Sequence, residues 1–139
     1  MRLEIALVAP CEPDQLFFWV EDLERYQQWL TIIDQVEVDG DGWMVALKGK
    51  LGPWARSKRL RMERTVYEPH HQARFERRES DGRNHALWRL DAHVAQTPQG
   101  SRLAVELRYD GSLWGSVVER LLRDEIEQAK ARLLALVAT

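Results

Sequence analysis

The 139-residue sequence lacks several features that would assign it to a particular class of protein. Its single cysteine, Cys11, cannot form an intramolecular disulfide, which is typical of a reducing compartment. No apolar run approaches the roughly 18 residues that a membrane-spanning helix needs. The N-terminus also lacks the basic-then-apolar pattern of a signal peptide. We therefore expect a cytoplasmic protein in which residues 1–139 form a single domain.

Motifs for common cofactors and nucleophiles are missing as well. There is no phosphate-binding loop or dinucleotide fingerprint, and no serine lies in a nucleophile elbow. Cys11 precedes a predicted helix whose dipole could lower a thiol pKa, but the sequence assigns it no base. The histidines lie in predicted turns or strands, with no cysteine or carboxylate cluster to complete a metal site: His70, His71, His85 and His93. We expect no metal and no cofactor, and binding is favoured over catalysis.

Charge is distributed unevenly, although the net charge is only −2. Residues 1–47 carry ten acidic and two basic residues, a balance of −8, whereas residues 48–89 carry twelve basic and five acidic residues, a balance of +7. The basic run alternates along a predicted strand and indicates a solvated sheet face: Arg56, Lys58, Arg59, Arg61 and Arg64. A weak peripheral contact with anionic lipid is the alternative. Nucleic acid is not expected, because the aromatic residues are not interleaved as stacking platforms.

A long amphipathic helix is predicted near the C-terminus, roughly from Leu113 to Val137. Its apolar residues recur every three or four positions, and charged residues fall on the opposite side. Most of the preceding chain has the pattern of strands, so the helix must bury its apolar stripe against their sheet. Glu125 lies only about 40° from the centre of that stripe. Its carboxylate must therefore reach solvent, find a partner or face a polar pocket.

Two short helices and a series of strands are predicted before this helix. Pro13 and Asp14 begin the first helix, and the second covers about residues 24–30. Strands are predicted at 2–9, 33–38, 43–50, 55–67, 73–78, 87–95 and 103–109, and turns rich in glycine, aspartate and proline separate the last six of them. The order β-α-α-β-β-β-β-β-β-α predicts an α+β fold with an antiparallel meander that curls through its own twist.

One stretch of the sequence adds family information to this order. Three short motifs follow the first strand: Pro13–Phe17 (PDQLF), Val20–Leu23 (VEDL) and Tyr26–Trp29 (YQQW). With the Glu68-Pro69 turn and the terminal helix containing Trp114, they resemble the helix-grip fold of the START/Bet v 1-like (SRPBCC, polyketide cyclase/dehydrase-like) superfamily. Gln27 departs from the proline that many members have there. The resemblance implies a curved antiparallel sheet of six to seven strands wrapped around a long C-terminal helix, with two short helices after the first strand.

The resemblance also implies a hydrophobic cavity between the sheet and the terminal helix. Members bind lipids, sterols, polyketides, quinones or plant hormones, and some cyclise aromatic rings, so the fold does not choose the function. We predict binding of a hydrophobic or amphipathic small molecule such as a lipid, quinone or polyketide, by a monomer or homodimer. A polyketide cyclase-like enzyme and a protein-interaction module are the alternatives.

Acid–base catalysis would need polar groups in the cavity. The candidates are Glu125, Tyr109, Asp91 and Arg59, because a buried carboxylate has a raised pKa that suits proton transfer. Asp91 and Arg59, however, alternate out of phase with their apolar neighbours. We therefore expect these two side chains at the surface.

The predicted ligand-binding residues are mainly large apolar side chains that alternation or helical spacing places toward the cavity. Six tryptophans are many for 139 residues, and a cavity wall would explain them, with ordinary core packing as the alternative for each. The predicted set is Tyr26, Trp29, Trp43, Leu47, Trp54, Leu60, Met62, Phe75, Trp88, Leu90, Val105, Leu107, Tyr109, Trp114, Val118, Leu122 and Glu125.

Overall fold

A computed structural model of the chain describes residues 1–48, 58–110 and 115–138. The element order over these residues follows the predicted one. The elements are β1 (Arg2–Ala9), α1 (Pro13–Phe17), α2 (Leu23–Tyr26), β2 (Ile33–Asp39), β3 (Gly42–Leu47), β4 (Lys58–Glu68), β5 (Gln72–Arg77), β6 (Trp88–Thr97), β7 (Gly100–Tyr109) and α3 (Gly115–Val137).

The strands form one seven-stranded antiparallel sheet in the order β1-β7-β6-β5-β4-β3-β2. Each strand from β2 to β6 pairs with the next strand along the chain, and β7 also pairs with β1, with Ile5 opposite Val105. The chain between β1 and β2 forms α1 and α2, so these helices lie between the two edge strands in sequence. This arrangement confirms the predicted helix-grip fold.

Short polar motifs set the local geometry of the connections. Asp22 caps α2, because its side chain accepts a hydrogen bond of 2.9 Å from the backbone N–H of Glu24. Gly40 has a φ of 59° in the β2–β3 hairpin. Gly100 has a φ of 134°, and a Cβ atom there would lie 2.3 Å from the backbone oxygen of Ala9. Glycine is therefore required where the β6–β7 hairpin meets the end of β1.

Two predicted helix bounds need comment. The second short helix ends at Tyr26 instead of near residue 30, because the following residues tighten into turns. Leu30 continues this turn by donating its N–H to the carbonyl of Tyr26 at 2.8 Å. The predicted start of the terminal helix at Leu113 lies outside the described residues. In the part of the chain that the structure describes, no helix combines the length and hydropathy needed to cross a membrane.

The concave face of the sheet carries the core. Helix α3 packs on this face through Ala129 and Leu133, both fully buried, and its main strand neighbour is β1. Below α1 and α2 the same face carries a cluster of aromatic rings. The convex face carries mainly charged side chains, among them Arg74 and Glu76 of β5. The sheet thus separates an apolar side from a charged side, as the alternation predicts.

Candidate functional site

An apolar cavity lies between the concave face of the sheet, α2 with the loop that follows it, and α3. Its volume is about 60 Å³, room for roughly four to six water molecules on a measure of about 10–15 Å³ each. Every described lining side chain is hydrophobic: Leu3, Ile5, Leu23, Leu30, Ile32, Ile33, Val45, Leu47, Leu60, Met62, Trp88, Leu90, Val105, Leu107 and Ile126. The cavity therefore excludes charge and suits the apolar part of a ligand.

Part of the predicted ligand-binding set lies together in this lining: Leu47, Leu60, Met62, Trp88, Leu90, Val105 and Leu107. They come from β3, β4, β6 and β7, and their inward direction follows from strand alternation. Prediction missed Leu3 and Ile5, although the alternation of β1 contains that signal. It also missed Leu30 and Ile32, whose loop carries no periodicity that could reveal them. Whether these residues bind a ligand remains a prediction.

Four aromatic residues of the predicted set lie in the cluster below α1 and α2, outside the cavity lining. The ring centroid of Tyr26 is 5.2 Å from that of Trp29 and 6.1 Å from that of Phe75, and Trp43 lies 5.6 Å from Phe75. Trp29 donates its indole N–H to the carbonyl of Trp19 at 3.0 Å. These contacts are core packing, the alternative interpretation of the tryptophan content.

The hydroxyl of Tyr26 is also committed to the fold. It donates a hydrogen bond of 2.9 Å to the backbone carbonyl of Val20. Burial raises the pKa of Tyr26 far above its ordinary value, and the negative charge of Asp91 raises it further. Tyr26 is therefore a neutral donor that holds the α1–α2 segment.

The remaining apolar and aromatic residues of the set fall into two groups. Tyr109 is buried beside Trp88, with ring centroids 4.5 Å apart, at the end of the strands where the chain leaves β7. Trp54 and Trp114 lie outside the described residues. Val118 and Leu122 belong to α3, but their side chains are not among the described ones.

Glu125 finds partners at the junction of α3 with the loop after α2. One carboxylate oxygen accepts hydrogen bonds from the N–H of Thr31 at 3.0 Å and from Arg132 at 3.0 Å. The other accepts from the N–H of Ile32 at 3.1 Å. The Glu125 side chain is only 12% exposed. Of the three predicted possibilities, the structure selects a partner, so Glu125 anchors the loop that carries Leu30 and Ile32.

Asp91 corrects one prediction and limits the catalytic alternative. It lies on the convex face, as expected, but it is buried because Gln72 and Arg74 cover it with hydrogen bonds of 3.0 and 2.9 Å. Burial raises its pKa, but the hydrogen bonds from Arg74 and Gln72 and the charge of His93 together lower it by more, so the net pKa is below the ordinary value. The expectation of a raised pKa is wrong for Asp91. Arg59 is exposed, as predicted.

The environment of the Cys11 thiol disfavours the reactive thiolate. Burial raises its pKa, and the charges of Asp14 and Glu12 raise it further. The predicted effect of a helix dipole does not prevail, because α1 has only five residues and acidic side chains at its start. Among the described ranges, no three or more His, Cys, Asp and Glu side chains form a group that could hold a metal ion.

The basic run is only partly a solvated face. Arg61 is 13% exposed, and its guanidinium binds Glu63 and also Asp39 at 3.0 Å. Arg64 lies opposite Phe75 next to an irregularity of β4, and its guanidinium covers the ring of Tyr67 at 3.9 Å. Arg56 lies outside the described residues, and the side chain of Lys58 is not described.

Large exposed hydrophobic residues are scattered over several elements of the described chain: Val8, Phe18, Val38, Tyr67 and Leu134. Two of them are aromatic and are covered by arginine. The guanidinium of Arg25 lies 3.7 Å from the ring centre of Phe18, and Arg64 covers Tyr67. An interaction module would need a contiguous apolar patch, and that alternative stays a prediction.

The same fold occurs in solved structures that share little sequence with this chain. Protein DR_A0006 of Deinococcus radiodurans superposes with a TM-score of 0.71 at 16% identity, covering 99% of this chain and 95% of its own. CV1439 of Chromobacterium violaceum gives 0.71 at 12% identity, with 99% and 98% covered. TTHA0849 of Thermus thermophilus gives 0.69 at 16% identity, with 99% and 97% covered. At these identities the likeness establishes a helix-grip fold and nothing more.

Sequence comparison gives the family. The model of the polyketide cyclase/dehydrase and lipid transport family matches residues 2–138. The chain belongs to this family, which confirms the resemblance seen in the PDQLF, VEDL and YQQW motifs. A comparison with curated proteins gave no significant match.

Proposed function

We propose that this protein binds an apolar or amphipathic small molecule, such as a lipid, quinone or polyketide, in the cavity between the sheet and α3. The observation that carries the proposal is the wholly hydrophobic lining of that cavity among the described residues. Burial of a ligand's apolar surface there contributes about 25 cal/mol per Å². Membership of a family whose description includes lipid transport supports the same proposal.

Binding is favoured over catalysis by where three of the four candidate acid–base groups lie. The oxygens of Glu125 accept hydrogen bonds from backbone amides and Arg132, and Asp91 and Arg59 belong to the convex face. An acid–base mechanism needs a proton donor or acceptor within hydrogen-bond reach of the reacting atoms. The described lining provides no such group.

The volume of the cavity indicates how binding proceeds. About 60 Å³ is far less than the roughly 300–1,000 Å³ of typical small-molecule pockets. A ligand of lipid size therefore enters only if the wall moves outward. The loop carrying Leu30 and Ile32 is held to α3 by side-chain hydrogen bonds to Glu125, a contact that is easier to open than a strand ladder. We expect ligand entry at this junction.

Native mass spectrometry and probe binding test the proposal together. The purified protein is analysed under native conditions, and organic extraction then releases any bound molecule for identification. Separately, an uncharged fluorescent probe, N-phenyl-1-naphthylamine, is titrated into the extracted protein. We expect either a co-purified apolar mass or saturable probe uptake with blue-shifted emission. A protein that is empty and also takes up no probe would contradict the proposal.

A further inference from the structure

Arg77 is a charged residue on the apolar face of the sheet. Strand β5 alternates so that Ala73 and Phe75, both fully buried, face the core, and Arg77 is the next residue in that row. Its side chain is only 11% exposed. Arginine is rarely this buried unless its charge is paired, because removing that charge from water is costly. An apolar side chain at position 77 would extend the row of core residues formed by Ala73 and Phe75.

The strand register places Arg77 beside the cavity. Met62 of β4 is its direct partner. On the other side of β5, Glu76 pairs with Arg89 of β6. Because the two strands are antiparallel, Arg77 then lies opposite Trp88. Met62 and Trp88 both line the cavity. Arg77 therefore lies between two lining residues, at the rim of the apolar wall.

Glu79 holds one edge of the Arg77 guanidinium. Its carboxylate oxygen Oε1 accepts a hydrogen bond of 2.9 Å from Nε of Arg77 and one of 3.1 Å from the backbone N–H of Arg61. The Glu79 side chain is 17% exposed. This bond fixes the orientation of the guanidinium plane. In the described part of the chain, the two terminal nitrogens of Arg77, Nη1 and Nη2, have no hydrogen-bond partner.

A guanidinium that is held at Nε can still bind an anion specifically through Nη1 and Nη2. Nη1 and Nη2 together present two parallel N–H groups that match the two oxygens of a carboxylate. Glu79 already places one negative charge beside Arg77 and repels a second anion. This repulsion is smaller for a singly charged carboxylate than for a dianion such as phosphate. The apolar lining between Met62 and Trp88 is adjacent, so a carboxylate held by Arg77 can place its apolar chain in the cavity.

We propose that Arg77 binds the carboxylate of an amphipathic acid whose apolar part occupies the cavity. The proposal rests on the proposed function and adds the chemical class of the ligand. The competing explanation is a structural ion pair in which Arg77 and Glu79 only close the end of β5. That explanation uses a single N–H of the five that a guanidinium offers.

A pair of probes that differ only in the head group tests the proposal. Decanoate and decanol are titrated calorimetrically into the wild-type protein and into Arg77→Met, which keeps the length of the side chain without its charge. Wild type should bind decanoate at least about tenfold more tightly than decanol, a difference of about 1.4 kcal/mol. Arg77→Met should lose that preference while its affinity for decanol stays within about twofold of wild type.

The matched control is Arg78→Met, because Arg78 is the adjacent arginine but is 58% exposed and interacts with Glu76. It should keep the preference for decanoate. If Arg77→Met fails to fold, Arg77→Lys retains the charge without the fork and should show a reduced preference. In the wild type, addition of decanoate should shift the guanidinium NMR signals of Arg77 and leave those of Arg78 unchanged.

The outcomes separate this proposal from the proposed function. Equal affinity for decanoate and decanol in the wild type, or a preference that survives Arg77→Met, would overturn the role of Arg77 and leave the apolar cavity as a binding site. Failure to bind decanoate, decanol and N-phenyl-1-naphthylamine would overturn both proposals. An unmoved Arg77 guanidinium signal despite decanoate binding would assign the carboxylate to another residue.

Discussion

The concave face of the sheet has two regions that are built from different side chains. Below α1 and α2 it is filled by aromatic rings, with Phe75 in contact with both Tyr26 and Trp43. Below α3 it is lined mainly by leucine, isoleucine and valine and encloses the cavity. We call these the aromatic region and the aliphatic region. Large flat rings fill the space between the sheet and the short helices, whereas the smaller branched side chains leave a cavity of about 60 Å³.

The two regions divide the tryptophans between the two interpretations that the sequence left open. A cavity wall and core packing were both expected for these residues, and of the described tryptophans only Trp88 lies in the lining. Trp29 and Trp43 instead stabilise the aromatic region. In this protein Trp29 and Trp43 thus pack in the aromatic region, while the aliphatic residues of β1, β6 and β7 line the cavity.

The largest expected effect comes from breaking the aromatic region. Phe75→Ala removes a fully buried ring that contacts Tyr26 and Trp43. We expect the free energy of unfolding to fall by about 3–5 kcal/mol, as for other buried aromatic residues replaced by alanine. Urea denaturation followed by tryptophan fluorescence measures it. A loss below about 1 kcal/mol would mean that the aromatic region tolerates an empty space as well as the aliphatic region does.

A smaller effect should follow from releasing the loop that closes the aliphatic region. Glu125→Gln replaces one acceptor oxygen with an NH₂ group that faces a backbone N–H of Thr31 or Ile32. We expect a loss of about 1–3 kcal/mol and faster hydrogen exchange at these two amides. Glu127→Gln on the exposed side of α3, where the side chain is 84% exposed, is the control and should change stability by less than about 0.5 kcal/mol. Unchanged exchange in Glu125→Gln would contradict the anchoring role.

Replacing each of two buried valines by leucine adds one methylene and should show whether the space beside that valine is empty or filled. Val105 lines the cavity and Val94 does not, although both belong to the concave face and are 2% and 3% exposed. Val94→Leu should lose about 1–3 kcal/mol through overpacking. Val105→Leu should change stability by less than about 1 kcal/mol because the cavity accepts the added group. It should also weaken binding of N-phenyl-1-naphthylamine. Equal losses of stability in the two variants, measured by thermal denaturation, would show that the space at Val105 cannot accept the added methylene.

The smallest expected effect lies on the convex face behind both regions. The folded-state pKa of Asp91 is below its ordinary value of 3.8, so the ionised carboxylate stabilises the fold above that value. This contribution is lost as the pH falls through the lowered pKa. Asp91→Asn should therefore reduce the thermal midpoint at pH 7 and lose less than wild type between pH 5 and pH 2. Parallel curves for the two proteins over this interval would exclude a role for Asp91 ionisation.

The sequence alone determined the fold of this protein. Alternation in the strands, the turn residues at 39–42 and 97–100, and the helical stripe of α3 are local signals, and they all agree with one helix-grip arrangement. The motifs between Pro13 and Trp29 resemble those of the superfamily, and the family match over residues 2–138 confirms that resemblance. Alternation also placed Leu60, Met62, Leu90, Val105 and Leu107 on the concave face.

Only the tertiary structure decided which buried residues surround empty space and which polar groups meet. Periodicity says that a side chain points inward, but the volume left over depends on how side chains from distant strands fill the gap between sheet and helix. Glu125 meets Thr31 across 94 positions of the chain, and no local pattern encodes such a contact. The position of Arg77 beside Met62 and Trp88 likewise follows from strand pairing and not from a local pattern. The sequence determined the two faces of the sheet, and packing between distant segments decided where the cavity lies.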